Sequence, residues 1–470
     1  MNQESPMSFD AKEIALVIGL GRSGLACVEV LRSRGATVFA TDEKPVSELA
    51  DAITEIESHG ARFVPAAEIE PVLPNVTSAV LSPGVPPTAR VVVAVQDANV
   101  PVFGEIEVAF RLCPAPIVAV TGTKGKSTTT SLIGHLLASA GRTVHVGGNI
   151  GNPLIREVVK AKAEDWVVAE VSSFQLETIR SFKPKVSVIL NISADHLDRY
   201  FSMDEYSEAK FRIFANQSAA DSFVGNLDDA RVAALHCENG ETRVHAKQYW
   251  FTMNRNRDRA AMYVHDGNIV FAPISGDPRS RTIMAVDEIP LAGRHNVQNT
   301  MAALLAAIAS GVAPEQLSDA VRSFKPMSHR LEPVAEIDDV LYVDDSKATN
   351  PGAVTAALHA YERPIVLIAG GKSKKTDFTD LGRAIDERAK WVVLIGEAAQ
   401  ELSATFSRVP KIFASSMTEA IQRARELAAP GDVVLLSPAC ASFDMFRSAE
   451  DRGEQFAAGV LAYRETVDAK

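Results

Sequence analysis

Residues 117–137 read IVAVTGTKGKSTTTSLIGHLL. They hold GKS, the core of a phosphate-binding loop, yet the full GxxxxGKS pattern asks for a glycine five residues before Gly125, where Val120 stands. The surroundings decide between a nucleotide cradle and a chance tripeptide. IVAVT is a β-branched run, a glycine turn follows, and KSTTTSLIGHLL continues with helical character, the strand, turn and helix order in which backbone amides wrap a phosphate. In that arrangement the loop Gly122, Thr123, Lys124, Gly125 faces the phosphates, Lys126 neutralises the terminal ones, and Ser127 or Thr128 holds magnesium.

A second strand, turn and helix opens the chain. EIALVIGLGRSGLACVEVLRSRGATVFATDEKP, residues 13–45, carries a complete GxGxxG at Gly19, Gly21 and Gly24, with Asp42 closing the next strand. Nicotinamide dinucleotide is the usual ligand of this motif, any ribose-linked diphosphate suits the same geometry, and a tight turn without ligand is the plain alternative. SAVLSPGVP at 78–86 adds a strand ending in a Pro/Gly turn, and residues 100–116 read as the connection to the next block.

Downstream, DWVVAEVS (165–172) and KVSVILNIS (185–193) are runs that a parallel sheet buries on both faces. Glu170, at the end of the first, is the natural second oxygen ligand for magnesium beside a phosphate loop. Residues 191–214, NISADHLDRYFSMDEYSEAKFRIF, gather Asp195, His196, Asp198, Arg199 and Lys210. A DH pair in a loop is more often a cap or a surface feature than a metal site, and Lys210 reads equally as a lysine reaching solvent along an apolar stretch. Between about 221 and 290 the segments shorten, and DGN in MYVHDGNIVFAP signals a hairpin; HNVQNTMAALLAAIASG then resumes as a helix. From residue 327 a third block runs through VLYVDDSKATN, RPIVLIAGGKS, KWVVLIGE and GDVVLLSPACAS, strands ending in polar or glycine-rich turns. Asp345, Lys347, Thr349, Ser442 and the lysines Lys372, Lys374 and Lys375 occupy such turns, where α/β sheets bind ligands and an acidic substrate is at home. Solvated loop lysines are the plain reading of that cluster.

The chain is thus three α/β units in series. Its 470 residues suit about three domains on a prior of roughly 150 residues each. A net charge of -11 argues against nucleic acid as the main partner. Four scattered cysteines make no CxxC, no apolar run is long enough to span a bilayer, and the N-terminus has no signal-peptide pattern. A reducing, cytoplasmic setting away from membranes is expected.

In order along the chain, TGTKGKST, EVSSFQLE, ADHLDRY, EAKFRIF, GRHNVQN, SHRLE, VDDSKATN and SPACASFDMF resemble the ATP-dependent Mur ligases, and SSFQLE, DDSKATN and SPACASFD resemble their D-glutamate-adding branch. The resemblance implies three domains: residues 1–104, Rossmann-like, for a uridine nucleotide; 105–326, a P-loop-type ATPase with a parallel sheet and a small β subregion; and 327–470, Rossmann-like, for the amino acid. It implies a cytoplasmic, monomeric enzyme of peptidoglycan-precursor synthesis that uses ATP and magnesium to add D-glutamate to UDP-N-acetylmuramoyl-L-alanine through an acyl phosphate. Arg22, Ser23, Asp42, Gly84, Asn149 and His196 would then contact the uridine substrate, which moves the GxGxxG from cofactor site to substrate site. Lys126, Glu170, His196 and Lys210 would form the catalytic set, with Ser127, Glu170, His196 and a carbamylated Lys210 around the metal. Asn296, Asn299, Arg330 and Asp345 would join the loop residues on ATP, and Lys347, Thr349, Lys374, Ser442 and Phe443 would receive D-glutamate. Closure of the third domain over the second is expected to complete the site and exclude water.

The chain departs from the family pattern in three places. GGKSKKTDF has extra lysines, position 449 is Ala where some relatives carry an aromatic, and 236–287 is long and matches poorly. Rival readings are a sister ligase for another amino acid, a pyridine-nucleotide dehydrogenase resting on GxGxxG alone, and a non-catalytic nucleotide-binding regulator.

Overall fold

In the computed structural model the described residues are 9–195, 199–236, 242–254, 260–272, 280–291, 293–325, 328–373 and 377–468. They build three sheets. The first sheet contains β1 (Ile14–Ile18), β2 (Thr37–Thr41), β3 (Arg62–Phe63), β4 (Ser78–Leu81) and β5 (Val102–Gly104). Its order is β3-β2-β1-β4-β5, and every pairing is parallel. The strand order reverses beside β1, the place where such sheets open a crevice at their carboxyl ends. Residues 102–112, treated as a connection by the sequence reading, instead form β5 and the helix Glu105–Leu112.

The second sheet contains β6 (Ile117–Thr121), β7 (Val144–Gly148), β8 (Trp166–Glu170), β9 (Val186–Ile189), β10 (Ser222–Asn226), β11 (Lys247–Thr252), β12 (Met262–His265), β13 (Asn268–Phe271) and β14 (Arg281–Ala285). Its order is β14-β13-β12-β11-β10-β9-β6-β8-β7. Strands β7 to β12 are parallel, and the DGN hairpin β12–β13 starts the antiparallel edge that ends at β14. Strand β6 lies between β8 and β9, so the GKS loop leaves the sheet at its own reversal point with Glu170 beside it. β6, β8 and β9 are buried along their length, which is why their sequences are unbroken apolar runs rather than alternating ones.

The third sheet contains β15 (Glu332–Ile337), β16 (Val340–Asp344), β17 (Ile365–Gly370), β18 (Ala389–Ile395), β19 (Lys411–Phe413) and β20 (Val433–Ala439), ordered β15-β16-β20-β17-β18-β19. Only β15 runs antiparallel to its neighbour. β20 sits between β16 and β17, which puts the turns DDSKATN, SPACASF and GGKS after adjacent strand ends.

The chain divides into two compact units. One holds the described residues through Glu288 together with Gln298–Arg322; the other holds Ile289–Val297 and the residues from Ser323 onward. Within the first unit a single apolar core runs through both sheets' layers, from Val17, Cys27 and Phe103 to Ile106, Leu154 and Val167. The helix Glu105–Leu112 packs on the helix Leu154–Val158, which also meets the helix Arg22–Ser33.

Candidate functional site

The first unit has a cavity of about 760 Å³ at the carboxyl end of β1 and β4. Arg22, Ser23, Asp42, Gly84 and Asn149, all expected from the sequence on one ligand, line it together with Pro153 and Gln175. The glycine pattern has a steric cause: a Cβ on Gly24 would stand 1.8 Å from the Gly19 carbonyl oxygen, and Gly19 has φ +90°. Asp42 accepts from the Leu20 amide at 2.7 Å and the Lys44 amide at 3.0 Å, so it shapes the turn as well as facing the cavity. The Arg22 guanidinium donates to the Gly151 carbonyl, joining the glycine turn of the first sheet to the loop after β7.

The phosphate loop follows β6 with Gly122 at φ +153° and Gly125 at φ +84°, and a Cβ on Gly125 would lie 2.3 Å from Asn299 Oδ1. Asn191, after β9, clamps the loop: its Oδ1 accepts from the Lys124 amide at 2.9 Å and its Nδ2 donates to the Lys124 carbonyl at 3.0 Å. Thr123 Oγ1 lies 3.2 Å from the Tyr206 hydroxyl. Lys126 Nζ donates to the Gly122 and Thr123 carbonyls at 3.0 and 2.9 Å. Lys210 Nζ reaches the same Gly122 carbonyl at 2.9 Å, with its ammonium 4.5 Å from the Tyr206 ring centre.

Lys210 is 2 % exposed. That overturns the alternative of a lysine reaching solvent: the helix Met203–Phe211 turns it inward. Burial and the neighbouring Lys126 push its ammonium down to about 7, opposed by Asp195. Glu170 is buried at the end of β8; Asn149 Nδ2 donates to its Oε1 at 2.7 Å, and the Asn149 amide donates to its carbonyl at 2.9 Å. Glu170 Oε2 has no hydrogen-bond partner among the described residues. A buried carboxylate oxygen left bare beside a phosphate loop fits a hard divalent cation, whose ligands are oxygens. Asn149 therefore touches both the large cavity and this carboxylate.

In the second unit Asp345 is buried, accepting from Ser437 Oγ at 2.7 Å and from the Leu331 amide at 3.3 Å. Burial raises its carboxyl to about 7, opposed by the Ser437 hydroxyl and by Arg330. Arg330 stands between two left-handed residues, His329 at φ 65° and Leu331 at φ 45°. His329 is fixed by Asp344 at 2.7 Å and by its own amide on Glu332 at 2.6 Å. Lys347 faces Glu450 at 3.4 Å, Ser442 is buried, and Phe443 is 68 % exposed. Asn296 and Asn299 are buried on the helix Arg294–Ala309. His196, Asp198, Lys374 and Lys375 lie outside the described residues.

Sequence reasoning missed four residues that organise these sites. Gln175, inside the quoted SSFQLE, lines the cavity; Asn191 and Tyr206 hold the phosphate loop. The fourth is Arg452, fully buried, whose guanidinium bonds Ser346 Oγ at 3.0 Å, the Ser346 carbonyl at 2.8 Å and the Cys440 carbonyl at 3.2 Å, tying DDSKATN to SPACASF. The place of Asn191 just past a strand end, and of Gln175 in the turn and helix after β8, was a usable signal; Arg452, in a helix after the last strand, offered none.

The Mur ligase MurD-like N-terminal domain matches residues 13–104, the Mur ligase middle domain 120–307, and the Mur ligase glutamate ligase domain 329–440. The UDP-N-acetylmuramoylalanine–D-glutamate ligase of Pelotomaculum thermopropionicum is 44 % identical, over 97 % of this chain and 99 % of its own. That of Acidobacterium capsulatum is 42 % identical, over 97 % and 98 %. Among solved structures, the MurF ligase from Thermotoga maritima in complex with ADP superposes with a TM-score of 0.59 at 16 % identity, over 92 % of this chain and 95 % of that one, a likeness of fold. With three consecutive domains matched and full-length relatives above two-fifths identity, the chain belongs to the Mur ligases, in the family of the UDP-N-acetylmuramoylalanine–D-glutamate ligases.

Proposed function

We propose that the protein joins D-glutamate to the L-alanyl carboxylate of UDP-N-acetylmuramoyl-L-alanine with ATP, as a monomer in the cytoplasm. The observation that carries this reading is Asn149, which lines the large cavity and holds Glu170 beside the phosphate loop. A uridine nucleotide seated against Arg22, Ser23, Asp42 and Gly84 would extend its acyl end past Asn149 toward the γ-phosphate. The carboxylate oxygen bonds to phosphorus as the bond to ADP breaks. The amine of D-glutamate then bonds to the acyl carbon, phosphate leaves, and the amine gives up a proton. No protein nucleophile is needed; the chain positions the reactants and offsets charge.

Residue roles follow from that path. Gly122 to Gly125 supply amides to the phosphates, with Lys126 against their charge; Asn299, Asn296, Arg330 and Asp345 hold the rest of ATP. Lys347, Thr349, Ser442 and Phe443 receive D-glutamate, with Lys374. Magnesium, when bound, screens the phosphate oxygens; Glu170, whose Oε2 is bare, Ser127, His196 and carbamylated Lys210 would hold it. An amine lowered to about 7 supports the carbamate: neutral Nζ bonds to carbon dioxide and loses a proton, turning a cation into a carboxylate-like group. The domain limits 104/105 and 326/327 belong to the same reading.

Phosphate release measured with ATP, magnesium and UDP-N-acetylmuramoyl-L-alanine tests it. D-glutamate should trigger release; a response only to another amino acid would assign the chain to a sister ligase. A dehydrogenase leaves the GKS loop, Glu170 and Lys210 without a task.

A further inference from the structure

Glu105 follows β5 directly and begins the helix Glu105–Leu112, so it stands where the first sheet hands over to the second layer. The junction is tight, since a Cβ on the preceding Gly104 would lie 2.0 Å from Thr178 Oγ1. The Glu105 carboxyl is 1 % exposed. Its Oε1 accepts from the Ile155 amide at 2.8 Å, the Gln175 side chain lines the same small void, and Oε2 is without a partner among the described residues. Ile155 lies two residues after Pro153, and Pro153 and Gln175 are both part of the large cavity's wall. Glu105 stands behind that wall, beside a void of about 10 Å³ that it shares with Ser82, Val85 and Gln175.

The groups that face Glu105 leave it without a countercharge. Cys27, on the helix Arg22–Ser33, is a buried thiol whose burial pushes it well above its ordinary value. Arg156 is drawn to Glu29 at 2.6 Å and Glu55 at 3.8 Å; Glu157 pairs with Lys160 at 2.9 Å. Arg199, at the rim of the small void, pairs with Glu177 at 2.6 Å. An anion here would have a few hydrogen bonds and no water, and burial accordingly raises the Glu105 carboxyl to about 7 against the pull of the Ile155, Gln175 and Leu154 groups.

We propose that Glu105 is a positioning residue for the nucleotide substrate: in its neutral form it holds the Ile155 amide, and through it the Pro153 wall of the cavity with Gln175 beside it, and on ionising it loosens that wall. This rests on the reading of the cavity as the uridine-nucleotide site. Ionisation of a group with no countercharge would be relieved by water admitted at the junction between β5 and the helices Leu154–Val158 and Ser173–Leu176, where the small void lies. If only the neutral form binds well, the apparent affinity falls with the neutral fraction, about fivefold between pH 7 and 8.

Two measurements on the full-length protein, wild type and Glu105→Gln, test this between about pH 6 and 8.5. The first is KM for each of the three substrates. The second is amide hydrogen exchange over residues 153–158 and 172–178 without ligand, corrected for the intrinsic pH dependence of exchange. Wild type should show a rising KM for UDP-N-acetylmuramoyl-L-alanine above pH 7, with the other two KM values flat, and faster exchange in the same window. Glu105→Gln cannot ionise and should lose both trends. A wild-type slope retained in Glu105→Gln, or three KM values rising together, overturns the proposal. Exchange needs no substrate, so a pH-dependent junction in a protein that does not turn over this nucleotide sinks the assignment of the cavity and leaves the hold of Glu105 on the wall standing.

Discussion

Lys126 and Lys210 donate to one carbonyl, that of Gly122, and two ammonium groups that close repel. Burial of Lys210, with that repulsion added, brings its pKa to about 7, far below the 10.5 of a free lysine. The sign is clear: native stability is lost as pH falls from about 10.5 to 7, because the unfolded chain binds that proton first. Reaction with carbon dioxide requires the neutral amine, so turnover should decline as pH drops below about 7 in a kcat against pH profile. Lys210→Ala should lose turnover by orders of magnitude and recover part of it with added acetate; full activity in that variant removes the carbamate from the mechanism. Read residue by residue, the sequence leaves Lys210 as a lysine that could equally reach solvent, and only the family resemblance gives it a place by the metal. Its inward turn depends on packing against Tyr206, one helical turn away, and on a contact with the phosphate loop across 88 residues of chain.

The phosphate loop is one glycine short of the long pattern, and the structure shows what replaces it. β6 ends at Thr121 and Gly122 turns at once, while Asn191 grips the Lys124 backbone through both the oxygen and the nitrogen of its side-chain amide. Gly125→Ala meets two obstacles, a left-handed backbone that costs about 1–2 kcal/mol for a residue with Cβ and the Asn299 oxygen 2.3 Å away. We expect a lower Tm and a KM for ATP raised about tenfold, a difference of about 1.4 kcal/mol, with the KM for the uridine nucleotide unchanged; thermal melts and steady-state kinetics read the two effects separately. The strand, turn and helix of this element were legible because local propensity and burial agree along contiguous residues. β5, β7 and the helix Glu105–Leu112 were not, since VFG and VHVGG are too short and glycine-rich to stand out by periodicity.

At the scale of the whole molecule, three sheets fall into two compact units, and the helix Arg294–Ala309 passes from one to the other at Val297 and Gln298. The first two sheets share one core, so a ligand in the large cavity should stabilise the first unit as a whole. Addition of the uridine nucleotide at a hundred times its Kd is expected to raise that unit's unfolding free energy by about 2.7 kcal/mol. Calorimetry in the presence and absence of ligand should show the transition of the first unit moving and that of the second staying; equal shifts in both would contradict it.

Order along the chain was enough to establish three α/β blocks, the strands that carry them, the glycine turns and most of the side chains at strand ends, because strand, turn and helix signals are local and ligand sites collect where strands end. Tertiary structure alone decided which of those residues share a pocket, that Asn149 links the large cavity to Glu170, that Lys210 is buried, that Glu105 accepts from Ile155 from behind the cavity lining, and that Arg452 ties two strand-end turns together. Burial and electrostatic environment belong to contacts between distant segments, and no periodicity in a sequence records them.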